Sequence, residues 1–519
     1  MKAHVLIVGA LLTVGVARIH ATTISVTNTN DSGPGSLRSA LASAANGDTI
    51  NFSVTGTILL TSGELLVSNS VNVIGPGPNM LAVYGNNSSR VFHIAPSNAV
   101  RISSLTISNG HALPLTQANP YNGGGIYNDS ATLTLSNVSV SGNSAFLRGG
   151  GIYSHGFASL EIVGSILSGN SAYEGGGIDN DSAAVRVVNS TLSGNHASIG
   201  GGAYNSGTLE AANSTLSSNM AHEFGGGIAS IGGPGSTFAQ ISSSTLTGNS
   251  AEEFGGGIAS YGGSVEIANS TLSDNSAEDF GGGIDNGSAT LTLINSTLSK
   301  NSANAGGGIA NFGDVDITSA IIGSTILKAG ALGGNIANGA CTVTSLGYNL
   351  SSDDGGGFLT AAGDQVNTDP MLGPLQDNGG PTFTHALLPG SPAIDAGDPN
   401  FTPPPDFDQR GPGFPRVVGC HIDIGAFEVQ ETACSPAGRI DNLISLVQGL
   451  GLPAGPANSL SVKLEAAASA LGRGNIQAAC GSLGAFLNEV NAQKGKKLTV
   501  AQANLLVSEV TRIRAVLGC

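Results

Sequence analysis

A block of three glycines followed by isoleucine or alanine recurs eight times across the middle of this 519-residue chain. Successive blocks begin 26, 26, 25, 25, 30, 26 and 25 residues apart. A period in this range predicts a solenoid, because each unit can bury its hydrophobic face only against its neighbours. The blocks begin at Gly123, Gly149, Gly175, Gly200, Gly225, Gly255, Gly281 and Gly306.

A second motif, NSTLSGN at 189–195 together with six variants of it, alternates with the glycine blocks. Apolar and small polar residues around it alternate with a period of two, as in ATLTLSNVSV at 131–140, which indicates strands rather than helices. Three short strands per unit, with Gly, Asn and Ser corners, predict an all-β fold, a parallel β-helix of about 25 residues per coil. The usual chirality of crossover connections makes this β-helix right-handed.

Each glycine block is also followed, at a fixed distance, by Asn or Ser. Stacked coils would bring these side chains into one internal row, where they can satisfy backbone groups at the corners. The row consists of Asn128, Ser154, Asn180, Asn205, Ser230, Ser260, Asn286 and Asn311.

Composition and charge narrow the choice of partners. Hydrophobic residues reach 40%, which is enough to fill a core, whereas charged residues make up only 10%. The formal net charge is −16. Nucleic acids and anionic membrane surfaces attract clusters of Lys and Arg, which this sequence lacks. We therefore expect no nucleic-acid partner.

The N-terminus has the layout of a secretory signal peptide, with Lys2, an uncharged apolar run over 5–17, and small residues at Ala17 and Ala21. Cleavage could follow Ala17 or Ala21, and we assign residues 1–21 to the signal. The run is too short to span a bilayer, and no second long apolar stretch follows it. The expected product is secreted or displayed on the cell surface, without a membrane span.

Four regions are expected beyond the signal. Residues 22–122 form an N-terminal cap and irregular coils, with a short helix within 31–45 that closes the open end of the β-helix. Residues 123–340 form the regular coils, and residues 341–430, which are richer in Pro and Asp, form the last coils. Residues 435–519 form a small α-helical bundle, because four helical patterns, roughly 436–450, 456–471, 474–493 and 499–517, follow one another between Gly and Pro turns.

Two sets of motifs resemble those of known families. The run over 367–428, with PLQDNGG, LLPGSPAIDAGD and DIGAFE, resembles the choice-of-anchor Q domain of exported bacterial proteins. The GGGI and STLSGN repeats resemble those of bacterial right-handed β-helix proteins and of polymorphic outer membrane proteins. The resemblance implies export and a cell-surface or extracellular location in bacteria, but it assigns no catalytic residue.

The helical tail contains three cysteines, Cys434, Cys480 and Cys519. An up-down bundle would bring them near one end, and in an oxidising compartment two of the three are expected to pair. We favour a Cys480–Cys519 disulfide, while the sequence alone leaves the pairing open.

Acidic residues precede several of the glycine blocks. Glu223, Glu253 and Asp279 stand on successive coils, and Glu174 has a similar place further back. Stacking would hold such carboxylates about 5 Å apart, a separation that suits a bridging Ca²⁺ or the carboxylate pair of a retaining glycosidase. The alternative is a solvated charged edge that discourages aggregation. Residues 389–428 also collect charges, which an Asp–Arg network or a Ca²⁺ site would explain.

A second row of residues comes directly after the isoleucine or alanine and is expected to face outward. Exposed tyrosines in a row suit stacking against sugar rings, since each ring offers flat apolar area and a hydroxyl. Chance placement of tyrosine on a β-surface is the alternative. The candidate ligand-binding residues are Tyr127, Tyr153, Asp179, Tyr204 and Asp285.

A third row contains the outward Thr and Ser of the TLS strands, such as Thr191 and Ser193, Thr271 and Ser273. A flat array of hydroxyl groups resembles the surface of ice-binding solenoids. Thr and Ser are also ordinary residues on strand surfaces, and this second interpretation is the one we favour.

Signatures of catalysis are sparse. A lyase needs a base and nearby cations, yet Arg148, Arg186 and Lys300 are the only Lys or Arg residues between 123 and 311 and are expected on separate coils. GxSxG, HExxH and P-loop patterns are absent. The sequence therefore favours a non-catalytic, monomeric protein that binds extracellular glycans or cell-surface partners and requires no cofactor, with Ca²⁺ as the candidate metal. The alternative is an extracellular polysaccharide lyase or glycoside hydrolase that uses the acidic residues.

Overall fold

The three-strand repeat folds as a parallel β-solenoid of about 12 turns, with roughly 26 residues per turn. A computed structural model describes residues 21–112, 121–233, 235–314, 316–418, 421–430 and 436–519, without the side chain of Asn442. The predicted signal segment, apart from Ala21, lies outside the described residues, as does Cys434.

Successive coils contribute one strand to each of three parallel sheets, which we name A, B and C in the order in which the chain visits them. Sheet A contains Thr23–Val26, Thr49–Phe52, Asn72–Ile74, Ala99–Ser103, Thr132–Ser136, Ser159–Val163, Ala184–Val188, Thr208–Ala212, Phe238–Ser242, Ser264–Ala268, Thr290–Ile294, Ser319–Gly323 and Thr342–Gly347. Sheet B contains Gly56–Leu59, Leu81–Tyr84, Thr106–Ser108, Ser139–Ser141, Ile166–Ser168, Thr191–Ser193, Thr215–Ser217, Thr245–Thr247, Thr271–Ser273, Thr297–Asn301, Ile326–Ala329 and Leu350–Ser351. Sheet C contains Leu65–Val67, Phe92–Ile94, Ile126–Asp129, Ile152–His155, Ile178–Asp181, Ala203–Asn205, Ile228–Ile231, Ile258–Tyr261, Ile284–Asn286, Ile309–Asn311 and Ile336–Asn338.

Short parallel strands continue some coils beyond sheet B. One pair is His111–Ala112 with Ser144–Ala145, and one group of four is His196–Ile199, Met220–Phe224, Ser250–Ala251 and Ser276–Ala277.

The strands pair so that equivalent residues of successive coils lie directly above one another. In sheet A, Leu133 pairs with Val100 on one side and with Leu160 on the other. In sheet C, Ile126 pairs with Ile152. The inward apolar side chains of all three sheets form one continuous core cluster. The predicted parallel β-helix with an inward apolar row on each strand is therefore confirmed.

A short helix covers the N-terminal end of the core, as the sequence predicts. This helix, α1, spans Leu37–Ser43, and the Ser36 side chain caps it by accepting a hydrogen bond from the Ser39 amide at 3.2 Å. Leu37 and Leu41 are buried in the solenoid core. At the other end Leu359 belongs to the same cluster.

The predicted internal row of Asn and Ser side chains is confirmed. Asn180 Nδ2 donates to Asn205 Oδ1 at 2.7 Å, and the same bond joins Asn286 to Asn311 at 2.7 Å. Each of these side chains also donates to a backbone carbonyl, so the row satisfies polar groups that the corner would otherwise bury without partners.

A second asparagine ladder, which the sequence analysis did not identify, lies at the corner after sheet B. Each Nδ2 except that of Asn301, the last member, donates to the Oδ1 of the next coil at 2.9–3.0 Å. Each Nδ2 also donates to a backbone carbonyl of the preceding coil. The signal was the Asn that closes each STLSGN motif. The ladder consists of Asn143, Asn170, Asn195, Asn219, Asn249, Asn275 and Asn301.

The predicted last coils differ from the structure after the sheet strand at Leu350–Ser351. Residues 371–418 and 421–428, which we call the fold-back segment, return over the outer face of sheet B and include the antiparallel strands Leu372–Gln376 and Thr384–Leu387. Outward hydroxyl groups of sheet B hold this segment in place. The contacts are Thr245 Oγ1 to Phe383 O at 2.6 Å, Thr271 Oγ1 to Gln409 Oε1 at 2.6 Å, and the Ala426 amide to Thr297 Oγ1 at 3.1 Å.

The fold-back segment interrupts the outward hydroxyl row that the sequence predicts. Thr271 and Ser273 are buried beneath it, whereas Thr191 and Ser193 on an uncovered coil are only partly buried. The row is therefore not one flat exposed array.

Inside the fold-back segment, an Asp–Arg network holds the chain together. Arg410 forms a 2.6 Å ion pair with Asp408, and its guanidinium lies 4.0 Å and 3.8 Å from the ring centroids of Phe414 and Phe427. Arg416 is fully buried and donates to backbone carbonyls. Of the two explanations given for the charges in 389–428, these contacts support the network.

His385 links the fold-back segment to the solenoid and makes this contact sensitive to acid. Its Nδ1 donates to the Gly373 carbonyl at 2.8 Å, and its Nε2 lies 3.0 Å from Ser273 Oγ. Burial lowers the pKa of His385, and Lys300 and Lys328 lower it further, against the raising effects of the carbonyl bond and of Asp274. The buried ring is therefore neutral where a free imidazole takes up a proton.

We expect the fold-back segment to loosen as the pH falls below about 6.5, since the unfolded imidazole is protonated there and the buried one is not. Hydrogen exchange of the Thr384–Leu387 strand should speed up between pH 7.5 and pH 5, and His385→Gln should remove most of this dependence. His222→Gln, at a side chain that is 50% exposed, is the control. An equal pH dependence in wild type and His385→Gln would show that His385 is not responsible.

Four helices form the C-terminal bundle with its own apolar core, close to the predicted limits. They are α2 Pro436–Gly449, α3 Ala454–Gly472, α4 Ile476–Gln493 and α5 Val500–Leu517. Cys480 and Cys519, the pair favoured above, are joined by a disulfide. Across the part of the chain that the structure describes, no helix combines the length and the hydropathy needed to cross a membrane.

Candidate functional site

The outer face of sheet C is covered by the chain segment that leads into each glycine block. At Gly175 the backbone has φ 63°, and a Cβ there would lie 2.7 Å from Cα of Asp179. The first glycine therefore lets the chain turn back tightly against the strand that follows it. Parallel bridges join these segments from coil to coil, for example Arg148 to Glu174 and Phe224 to Phe254.

Two rows of side chains run along this covering layer. The covering row comes directly before the glycine blocks and contains Asn122, Arg148, Glu174, Ile199, Phe224, Phe254, Phe280 and Ala305. The rim row comes one residue earlier and contains Tyr121, Leu147, Tyr173, Ser198, Glu223, Glu253, Asp279 and Asn304.

Half-way along the solenoid, the charged and the aromatic side chains change places between the two rows. On the N-terminal coils the covering row carries the charges of Arg148 and Glu174, and the rim row is aromatic or apolar. On the C-terminal coils, Phe224, Phe254 and Phe280 of the covering row stack at centroid distances of 5.5 Å, and the rim row is acidic. We call the two rows together the flank. Its charged half, around Arg148 and Glu174, has an aromatic or apolar rim row, and its aromatic half, around Phe224, Phe254 and Phe280, has an acidic rim row.

The covering layer corrects the predicted exposure of the tyrosine row. The row does point outward from sheet C and is in register from coil to coil. However, Tyr127 is 8% exposed, Tyr153 4% and Asp179 0%, while Tyr204 is half-buried. The physical reason is that the alternation of a strand gives the direction of a side chain but not what lies above it. The rings stack on one another instead, with Tyr127 and Tyr153 5.3 Å apart.

Four of the five predicted ligand-binding residues belong to one neighbourhood, in the charged half, and Asp285 does not. Asp285 is 2% exposed and accepts a 2.6 Å hydrogen bond from the Tyr261 hydroxyl on the preceding coil. Burial raises the pKa of Asp285 to about 7, although the Tyr261 bond acts in the opposite direction. This pair lies beside the phenylalanine stack, with Tyr261 and Phe224 5.3 Å apart.

The centre of the charged half is the Arg148 site, which we define as Arg148, Tyr153, His155, Glu174, Asp179 and Asp181. Arg148 Nε lies 2.9 Å from Glu174 Oε2, and its Nη1 lies 2.9 Å from Asp181 Oδ2. The Tyr153 hydroxyl donates to Asp181 Oδ2 at 2.8 Å, and His155 Nδ1 lies 3.0 Å from the same oxygen. Two successive coils thus meet at one cation and two carboxyl groups.

The carboxyl groups of the Arg148 site have different proton affinities. Burial raises the pKa of Glu174, and nearby Asp181 adds to this effect while Arg148 opposes it. For Asp181, burial acts to raise the pKa, but hydrogen bonds from Tyr153 and His155 and the charge of Arg148 outweigh it, so the pKa is lowered. Neighbouring carboxyl groups with separated pKa values are typical of functional sites.

Asp179, the third carboxyl group of the Arg148 site, is buried and lacks hydrogen-bond partners within the part of the chain that the structure describes. Its side chain is fully buried, and neither carboxyl oxygen has a hydrogen-bond partner among the described residues. Burial raises its pKa well above the ordinary value, against the charge of Arg148. A buried polar group without a partner is rare in native proteins and usually marks a strained or functional position.

The network continues towards the N-terminal coils. Arg90 Nη1 forms a 2.6 Å ion pair with Glu64, and the Arg90 guanidinium lies 5.1 Å from the centre of the Tyr127 ring. His93 stacks on Tyr127 at 4.9 Å and lies 3.7 Å from Asp129. Burial raises the pKa of Tyr127 to about 12, so its hydroxyl remains a donor at neutral pH.

Exposed aromatic side chains beside the Arg148 site were missed by the sequence analysis. Tyr121 is 38% exposed, Tyr173 45% and Phe146 62%, and Tyr121 and Phe146 meet edge to face at 5.9 Å. The signal was present, because Tyr121 and Tyr173 stand two residues before a glycine block.

The acidic residues proposed to bind a metal do stand on successive coils. The Phe254 amide donates to the Glu223 carbonyl, and the Asp279 amide to the Glu253 carbonyl, each at 3.0 Å. Within the described ranges, no group of three or more His, Cys, Asp or Glu side chains is arranged to hold a metal ion. A Ca²⁺ ion at Glu223, Glu253 and Asp279 therefore stays a prediction.

Comparison with protein-family models, with curated proteins and with solved structures finds no match to this chain. The side chains of the charged half themselves define the chemistry that it can perform. It offers hydroxyl, guanidinium and imidazole groups as donors, carboxylates as acceptors, and exposed aromatic rings at the rim. These are the groups that recognise a polyhydroxylated ligand.

Proposed function

We propose that this is an exported protein, secreted or held at the bacterial cell surface, that binds extracellular polysaccharide along the charged half of its flank. The observation that carries the proposal is a group of exposed aromatic side chains directly beside the Arg148 site. The group consists of Tyr121 and Tyr173 of the rim row and of Phe146 next to them. Aromatic rings pack against the apolar faces of sugars, while nearby charged groups bond to the hydroxyls.

The repeat of the fold supports an extended ligand rather than a compact one. Strands of neighbouring coils lie about 4.8 Å apart, so equivalent side chains recur along the flank at a spacing close to one sugar unit. The signal-like N-terminus supports export, and the resemblance to choice-of-anchor Q and polymorphic outer membrane repeats supports a cell-surface or extracellular location. Binding of this kind requires no cofactor and no oligomer.

A glycan array followed by isothermal titration tests the proposal. We expect Tyr173→Ala to weaken binding of the best array ligand about 10-fold, or about 1.4 kcal/mol, since one stacking ring is lost. Phe146→Ala should act in the same direction. Both side chains are exposed, so the melting temperature should not change.

Phe157→Ala is the matched control. Phe157 is an aromatic residue at 101% exposure, but it lies at the turn between sheets C and A. Its loss should leave affinity unchanged. The proposal fails if the array shows no ligand above background, or if Phe157→Ala weakens binding as much as Tyr173→Ala.

A further inference from the structure

We propose that the Arg148 site also hydrolyses glycosidic bonds, with Glu174 as general acid and Asp181 as nucleophile. This inference rests on the proposed polysaccharide binding and gives the same site a reaction. Of the acidic residues that the sequence analysis considered for such a reaction, Glu174 belongs to this site, whereas Glu223, Glu253 and Asp279 lie on the other half of the flank.

One guanidinium holds the two carboxylates together. Glu174 Oε2 and Asp181 Oδ2 each lie 2.9 Å from a nitrogen of Arg148. Both nitrogens belong to one rigid planar group, so a single guanidinium fixes the position of both carboxyl groups. The proposed reaction requires a separation of about 5 Å between them, as in retaining glycosidases. The side chains of Glu174 and Asp181 are 17% and 22% exposed, so a chain bound at the rim can reach them.

The surroundings of the two carboxyl groups suit different roles. Asp181 is held by Tyr153 and His155, which keep it ionised and fix its orientation. Glu174 has Arg148 as its partner, and burial favours its protonated form. A carboxyl group with a raised pKa beside one with a lowered pKa is the arrangement that glycoside hydrolysis uses for its acid and its nucleophile.

Asp179 provides an independent indication. A network built only for stability has no need of a fully buried carboxyl group that lacks a hydrogen-bond partner in the described residues. Asp179 stands two residues before Asp181 on the same strand, so both side chains lie on the same face of sheet C. Asp179 belongs to the same cluster, because the charges of Arg148, Glu174 and Asp181 all act on its pKa.

The reaction balances with water as the only co-reactant. Glu174 gives its proton to the glycosidic oxygen as the bond from that oxygen to the anomeric carbon breaks, and the Asp181 carboxylate bonds to that carbon. Water then attacks the same carbon and gives a proton to the Glu174 carboxylate, and Asp181 leaves. The products are one fragment with a free reducing end and one fragment that carries a free hydroxyl group where the glycosidic oxygen was. Arg148, Tyr153 and His155 act as positioning residues.

The test measures reducing ends released from cellulose, xylan, mannan, chitin and pectin by the full chain. We expect release from at least one probe, and a loss of at least about 100-fold in Glu174→Gln and in Asp181→Asn. Glu174→Gln should still bind that probe within about 3-fold of wild type, which a loss of folding would not allow. Glu266→Gln, an exposed residue of sheet A, is the control and should keep the full rate.

Two further measurements separate chemistry from structure. Azide should restore turnover to Asp181→Gly by taking the place of the missing nucleophile, and a merely structural aspartate would not be rescued. The rate should follow a bell-shaped pH profile whose alkaline limb is lost in Glu174→Gln. Binding without reducing ends from any probe, or release that persists in Glu174→Gln, would overturn the hydrolysis. Absence of all binding would overturn the proposed function itself.

Discussion

Gly256→Ala should lower the free energy of unfolding of the solenoid by at least about 3 kcal/mol, or prevent folding altogether. A Cβ at Gly256 would lie 2.6 Å from the backbone nitrogen of Ser276 and closer still to its carbonyl group. These atoms belong to the next coil and cannot move without breaking the register of the sheets. The clash would therefore force the two coils apart.

Far-UV circular dichroism during thermal unfolding measures this effect. The control is Gly484→Ala in α4, where a Cβ would meet no atom within 4 Å and helix propensity predicts a gain of about 1 kcal/mol. Equal stability of Gly256→Ala and wild type would show that the coils are not in close contact at the glycine blocks.

Asn249→Ala should cost about 4 kcal/mol of unfolding free energy, because it breaks the second asparagine ladder in its middle. Asn249 Oδ1 accepts from the Asn219 backbone amide at 3.0 Å and from the Asn219 side chain at 2.9 Å. Its Nδ2 donates to Asn275 Oδ1 at 2.9 Å and to the Leu216 carbonyl at 3.0 Å. Alanine leaves the buried amide of Asn219 and the carbonyl of Leu216 without these partners.

Chemical denaturation of Asn249→Ala and Thr247→Ala compares the ladder with the surface of the same coil. Thr247 lies two residues earlier in sheet B, points outward and is only partly buried. Its replacement should change stability by no more than about 0.5 kcal/mol. Similar costs for the two variants would mean that the ladder adds nothing to the stability of the corner.

The architecture could be predicted from the sequence because its physical causes are local and repeated. The alternation in 131–140 sets the inward row of each strand, and the glycine blocks set the period. The helices of the tail follow from apolar spacing bounded by Gly and Pro, and the structure places them within a few residues of the predicted limits. Repetition strengthens the signals of the strands and of the glycine blocks, since the same local pattern occurs on many coils.

The fold-back segment could not be predicted from the same patterns. Residues 371–428 have no repeat, and their position depends on hydrogen bonds to coils more than 100 residues earlier, such as Thr271 to Gln409. Nothing in the outward hydroxyls of Thr271 or Thr191 tells which of them will be covered. Contacts between distant, irregular segments leave no periodic trace in a sequence.

The candidate site was predicted in part. The residues after the glycine blocks do lead to the charged half, where Tyr153 and Asp179 stand beside Arg148. Their burial was not predicted, because it depends on the covering layer that turns back at residues such as Gly175. That layer buries Tyr127 and Tyr153 of the predicted row, and the exposed tyrosines of the site are instead Tyr121 and Tyr173 of the rim row.

A crystal structure of the chain soaked with the best array ligand, as an oligosaccharide of four to six units, tests the proposed polysaccharide site most directly. We predict sugar density along the charged half, with one ring against Tyr173 and hydroxyl groups within hydrogen-bond distance of Arg148 or Glu174. Density confined to the uncovered hydroxyl face of sheet B, or to the helical bundle, would contradict the account even if the ligand binds tightly.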